Sequence, residues 1–171
     1  MEISADRVKE LREKSGAGVM DCKRALVEAD GDLDRAAALL RQRGLAQVAK
    51  RAGREATEGI VDAYIHAGGK IGVIVEVNCE TDFVARTPDF RALAHDIAMQ
   101  IAATNPPSVG DAEGDGEGGG ESAGSTEDLP LLSQPFIKDP KRTVADLVRD
   151  TAARTGENIV IRRFTRYELG A

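Results

Sequence analysis

The sequence contains no tryptophan, only two tyrosines and four phenylalanines, and two cysteines in 171 residues. With so few rings, an aromatic residue that falls outside a helical or strand stripe carries information. Cys22 and Cys79 stand far apart and show neither a disulfide framework nor the short ligand pairs of a zinc site, so reduced thiols in a cytoplasmic protein are expected. No apolar run approaches the roughly 18 residues that a membrane span needs. The opening MEISADRVKE has no apolar core, which argues against a secretory or organelle-targeting leader.

Basic residues are missing altogether from one stretch. From Val109 to Asp128 the chain reads VGDAEGDGEGGGESAGSTED, with seven acidic residues and no Lys or Arg. Such a segment cannot bury enough apolar surface to offset its ordering entropy, and a flexible, self-repelling linker is expected. It also accounts for the formal net charge of −6, since the rest of the chain is then close to neutral. A near-neutral fold lacks the basic footprint of a nucleic-acid binder, so no such partner is expected.

What is present is a change of hydrophobic period. Ser4 fits an N-cap, with Ile3 and Val8 placed as a hydrophobic staple, and Val8 and Leu11 form a buried stripe. After Ser15-Gly16-Ala17-Gly18 a second helix follows, with Cys22, Ala25, Leu26 and Ala29 on one face. Asp32 caps a third, whose Ala36, Leu39 and Leu40 face inward, and Gly44 stands where a helix commonly stops. Residues 46–57 show no stripe and read as a connector. Beyond them Val61, Ala63 and Ile65 alternate with Asp62, Tyr64 and His66; Ala67-Gly68-Gly69-Lys70 turns, and Ile71, Val73, Val75 and Val77 alternate again, which predicts a β-hairpin.

Thr87-Pro88 then opens a helix carrying Phe90, Leu93, Ala94, Ile97 and Ile101, ended by Asn105-Pro106-Pro107. LPLLSQPFIKDPK reads as extended, Thr143 and Asp146 as a capping box, and Ile159 to Tyr167 as a third strand. The expected class is α+β: a three-helix bundle over 1–45, a connector over 46–57, core over 58–107, linker over 108–128, and the rest of the core over 129–171. That core holds a three-stranded antiparallel sheet with packed helices.

Chemistry is poorly supported. Cys79 has acidic neighbours, Glu80 and Asp82, which would raise a thiol pKa, so a thiol enzyme using His66 is disfavoured. His66, His95, Cys22 and Cys79 show no metal-ligand spacing. No cofactor is expected. Phe83 is the informative aromatic: composition favours its folding back under the sheet, and the alternative is an exposed wedge between rigid elements. Asp82 is either a cap for the turn or a carboxylate aimed at a partner's site.

VEVNCETDFVARTPDF resembles the signature of the elongation factor Ts family, VKELREKSGAGVMDCKRALVEADGDLDRAAALLRQRG resembles its N-terminal domain, and GENIVIRRFTRYELGA its short-form C-terminus. The resemblance implies a guanine-nucleotide exchange factor, not an enzyme, that releases GDP from elongation factor Tu. It implies that Thr81, Asp82, Phe83 and Val84 act beside the GTPase's magnesium site, with Phe83 as the wedge and Asp82 disturbing the metal's ligation. Leu11, Val19 and Met20, in a bundle similar to a ubiquitin-associated domain, would contact the same partner. Short members of the family tend to pair through their sheets, which makes a homodimer an expectation. This chain departs from the pattern by carrying the acidic glycine linker where short members have a helical segment. The alternatives are a non-catalytic adaptor with a ubiquitin-associated-like bundle and an exchange factor impaired by the missing segment.

Overall fold

The structure, a computed structural model, describes residues 3–110 and 128–171. Its helices begin where local chemistry says they should. Ser4, Asp32, Thr81, Thr87 and Thr143 each accept a hydrogen bond from a backbone N–H of the turn that follows. Such caps satisfy donors that a helix leaves unpaired, each worth about 1 kcal/mol relative to alanine. The capping box at Thr143 is complete, because the Asp146 side chain also accepts from the Thr143 N–H.

Helices α1 (Ala5–Ser15), α2 (Val19–Glu28) and α3 (Leu33–Arg51) form the bundle. Its core is Val8, Leu11, Cys22, Ala25, Leu26, Ala29 and Ala36. Here the outcome differs from the pattern in the sequence, because α3 runs through Gly44 to Arg51. Gly44 is not a stop signal. A Cβ placed on it would lie 3.1 Å from the Cβ of Ala153, so the glycine permits a close approach of two helices. The second half of α3 lacks a readable stripe because its apolar residues turn to a different neighbour. Leu39 and Leu40 pack on the bundle core and Val48 on the sheet's core.

Strands β1 (Glu58–Ile65) and β2 (Ile71–Cys79) pair antiparallel around the expected turn. The one-turn helix α4 (Asp82–Ala85) and the long α5 (Pro88–Thr104) follow. After a 3₁₀ turn at Leu131–Ser133 come the short ribbon β3 (Pro135–Phe136) and β4 (Asp139–Thr143), then α6 (Val144–Thr155) and β5 (Val160–Glu168). Strand β5 joins β2, giving the order β1-β2-β5 with both pairs antiparallel. Val73, Val75 and Val77 of β2 point into a core shared with Phe90, Leu93, Ile97 and Ile101 of α5. The extended reading of LPLLSQPFIKDPK gives way to a 3₁₀ turn and a two-stranded ribbon.

On β1 the inner and outer faces also depart from simple hydropathy. Ile60, Asp62 and Tyr64 lie opposite Val77, Val75 and Val73 and face α5, where Asp62 meets His95 Nδ1 at 3.6 Å. Val61, Ala63 and Ile65 are left on the outside. Burying Asp62 in part is tolerable because a polar partner waits on the helix.

The acidic linker falls almost wholly outside the described residues, but the chain on its two sides is clasped. Leu131 N–H donates to Ser108 O at 2.9 Å and Leu132 N–H to Val109 O at 3.0 Å. Beneath this clasp Gln134, fully buried, accepts from Gln100 Nε2 at 3.1 Å and Thr104 Oγ1 at 2.7 Å and donates to Leu129 O at 3.0 Å. Replacing Gln134 with leucine strands these partners, and each buried group left unpaired costs about 1–3 kcal/mol. Urea titration of Gln134→Leu should therefore show a lower midpoint at unchanged slope; an unchanged midpoint would remove this network from the fold's foundations.

Candidate functional site: a braced turn with an exposed phenylalanine

Between β2 and α5 the chain has eight residues, Glu80 to Thr87, in which to leave the sheet and enter a helix. Thr81 divides that span. Its Oγ1 accepts from Val84 N–H at 3.4 Å and turns the next four residues into α4. Thr87 closes the other end, donating from Oγ1 to Val84 O at 2.7 Å while capping α5. A single helical turn places successive side chains about 100° apart. Ala85 is buried, Val84 packs against the core, and Phe83 is thrown outward.

Phe83 is 79% exposed, the most exposed large apolar side chain among the described residues. Of the two readings open from composition, folding back under the sheet is the one that fails. Leaving a phenylalanine in water forgoes about 1.5–3 kcal/mol of burial. Asp82, beside it, is half-exposed and meets Arg86 Nη2 at 2.7 Å, an i,i+4 pair in solvent worth at most about 1 kcal/mol. Asp82 thus remains available to a stronger cation or donor.

The base of this turn is held from a distance. Glu157, in the loop between α6 and β5, accepts from the N–H groups of Glu80 and Thr81, both at 3.0 Å, and from Thr81 Oγ1 at 2.6 Å. The grip is reciprocal, since Glu80 Oε1 accepts from Asn158 N–H at 2.7 Å. Asn158 Nδ2 in turn donates to Ala52 O and Arg54 O just past the end of α3. Nothing in the local sequence marks Glu157 or Asn158 for this task, because their partners are more than 75 positions away in one case and more than 100 in the other.

Cys79 ends β2 fully buried, donating from Sγ to Thr81 O at 3.1 Å. Burial foremost, and then the nearby Glu157 carboxylate, push its thiol up to about 11. The direction matches that read from the sequence, but its causes are burial and Glu157 rather than the adjacent Glu80 and Asp82. Cys79 and His66 also lie at opposite ends of the hairpin, since Cys79 pairs with Glu58 and His66 follows the last β1 residue. Among the described residues no group of three His, Cys, Asp or Glu side chains could hold a metal ion, and no helix is long and apolar enough to cross a membrane.

The second set of candidate residues lies on the bundle. Met20 is 66% exposed and Val19 is exposed beside it at the start of α2. Leu11 does not join them: it has no exposed surface and sits within the bundle core with Cys22, Ala25 and Leu26. It can shape the surface of α2 from beneath but cannot offer itself to a partner.

A family model described as Elongation factor TS matches residues 41–117, the span that contains this turn. Over 98% of its length the chain is 51% identical to an elongation factor Ts of Carboxydothermus hydrogenoformans, covering 89% of that relative. It is 52% identical to one of Syntrophomonas wolfei and 51% identical to one of Moorella thermoacetica, covering 91% and 96% of them, again over 98% of the chain. This chain belongs to the elongation factor Ts family. It is therefore a factor of protein biosynthesis in translation elongation. The aligned spans of 194 positions exceed the chain's own 171 residues, so these elongation factor Ts relatives carry residues that it lacks.

The Glu157 grip can be tested apart from any partner. Glu157→Gln replaces an oxygen facing two N–H donors with one that can no longer serve both as a carboxylate does. Hydrogen bonds to charged groups contribute about 1.5–3 kcal/mol, and a loss of that order should appear in equilibrium unfolding. Faster amide exchange at Glu80 and Thr81 should accompany it; protection equal to the parent's would show that the carboxylate does not hold the turn.

Proposed function

We propose that this protein is a guanine-nucleotide exchange factor that promotes GDP release from elongation factor Tu. The observation that carries the reading is the exposed Phe83 on a turn capped at both ends and braced at its base. A side chain so costly to expose, on so fixed a mount, suits insertion into a partner. In this reading Thr81 and Val84 fix the turn, Phe83 is the wedge, and Asp82 disturbs the ligation of the GTPase's magnesium ion. The action belongs to the cytoplasm and requires no cofactor, membrane or nucleic acid.

Magnitudes require more than the wedge. Shifting an equilibrium from 1:99 to 99:1 takes differential binding of about 5.5 kcal/mol. Burying one phenylalanine supplies about 1.5–3 kcal/mol. A second surface has to contribute, and Val19 and Met20 on α2 supply it, with Leu11 in the bundle core against Cys22, Ala25 and Leu26 of the same helix. By linkage, whatever factor this protein removes from the GTPase's affinity for GDP, GDP removes from the GTPase's affinity for this protein.

Release of a fluorescent GDP from elongation factor Tu, followed with and without the chain, tests the reading. Phe83→Ala should slow stimulated release by about tenfold to a hundredfold, the equivalent of the lost burial, with no fall in melting temperature because Phe83 supports nothing in the fold. A parent chain that leaves GDP release at its basal rate would favour the adaptor or an impaired factor. Release unchanged by Phe83→Ala would reject the wedge.

The same chain pairs with a second copy through its sheet. Val61, Ile65, Ile74 and Tyr167 stand exposed together on the outer face, with Ile65 opposite Gly72, and Gly72 opposite Tyr167 on the far strand. A contiguous apolar face of this kind marks an interaction surface. Sedimentation should give a dimer for the parent and a monomer for Ile74→Asp; a parent that stays monomeric at tens of micromolar would exclude the pairing.

A further inference from the structure

Two surfaces that must meet one partner together need a fixed geometry between them, and the fold contains a joint that sets it. Helix α3 is continuous from Leu33 to Arg51, with its first half in the bundle and Val48 packed against the core of the sheet. It crosses α6 at Gly44, where an added Cβ would lie 3.1 Å from Ala153 Cβ, tighter than ordinary van der Waals contact. Glycine in a helix interior is otherwise a poor choice, second only to proline. Its presence in the middle of a 19-residue helix is explained by the crossing and by nothing local.

The joint has a second contact. The Arg154 stem lies against Gly16, where an added Cβ would come within 3.1 Å of its Cδ, and its Nε faces Asp89 Oδ2 at 3.7 Å. Gly16 belongs to the turn that leads directly into Val19 and Met20, and Asp89 to the first turn of α5, just past the Phe83 turn. At the other end of α3, Asn158 holds the carbonyls of Ala52 and Arg54 while its neighbour Glu157 holds Thr81. Bundle and wedge are thus referenced to the same helix, α6, and to the loop that follows it.

We infer that Gly44 is a positioning residue for exchange: its contact with Ala153 sets the spacing at which the α2 surface and Phe83 are presented to one partner. The inference rests on the exchange reading above. Two sites joined at the right spacing bind far more tightly than either alone, and the gain is lost when geometry forbids simultaneous engagement. Helix separation follows the size of the side chains at the crossing, so a larger residue at position 44 moves α3 away from α6. A displacement near 1 Å can cost on the order of a hundredfold in a well-aligned site.

The test is a coupling measurement on the full chain with elongation factor Tu and fluorescent GDP. Gly44→Leu should raise the concentration needed for half-maximal exchange about tenfold while leaving the saturating rate near the parent's. Met20→Ala should weaken the parent but add little to Gly44→Leu, because the α2 surface is already out of reach. Parental concentration dependence in Gly44→Leu, or fully additive losses, would overturn the inference. If leucine prevents folding, Gly44→Ala should weaken exchange and Gly44→Ala/Ala153→Gly restore it; equal behaviour of the two would equally overturn it. Phe83→Ala and the parent run alongside separate the cases: loss in Phe83→Ala without loss in the Gly44 variants refutes the joint alone, whereas a parent that leaves GDP release at its basal rate refutes the exchange reading itself.

Discussion

The carboxylate of Glu157 is the constraint on which the geometry of the tip depends. It gathers two backbone N–H groups and a hydroxyl from Glu80 and Thr81, and that fixes where β2 ends and α4 begins. Without it the residues from Glu80 to Thr87 would be a loop with a loose origin, and Phe83 would sample many directions. Charge-assisted hydrogen bonds are the strong ones in a protein. Placing three on one partly buried carboxylate makes a local turn depend on a residue more than 75 positions away in the sequence.

Rigidity at that point has a thermodynamic meaning for binding. Ordering a mobile loop at an interface consumes part of the interaction energy, whereas a turn already capped by Thr81 and Thr87 and anchored by Glu157 loses little on association. The exposed ring is costly in the free protein and becomes favourable only when something covers it. The same logic extends to Val19 and Met20, which sit at the start of a helix whose preceding turn is held by Arg154.

Features decided by neighbours in sequence are legible in the sequence itself. Asp32, Thr87 and Thr143 read as caps because a cap and the N–H that donates to it lie three residues apart, and the hairpin read as such because its turn and alternation are local. Features decided across the core are not. A glycine at position 44 has the same letter whether it ends a helix or admits another, and only Ala153 distinguishes the two. Asp62 reads as the outward residue of its strand until His95 is seen facing it. Leu11 carried two readings, a buried stripe with Val8 from its spacing and a partner contact from the family resemblance, and the packing of the bundle agrees with the stripe. Phe83 lay between these extremes, since its departure from any stripe was visible but its direction needed the helical turn that Thr81 starts.

The clasp between residues 108–109 and 131–132 brings the chain back to its point of departure before Gln134 enters the core. The clasp therefore holds the two ends of the intervening stretch side by side, whatever the length of chain between them. Closing a loop becomes costlier only slowly, by about 0.6 kcal/mol for each doubling of its length. A lineage can lengthen, shorten or recompose the chain at that point without moving the Phe83 turn or the start of α2. For the same reason a reporter domain spliced there would ride on the factor while leaving the two ends of the cut where they are.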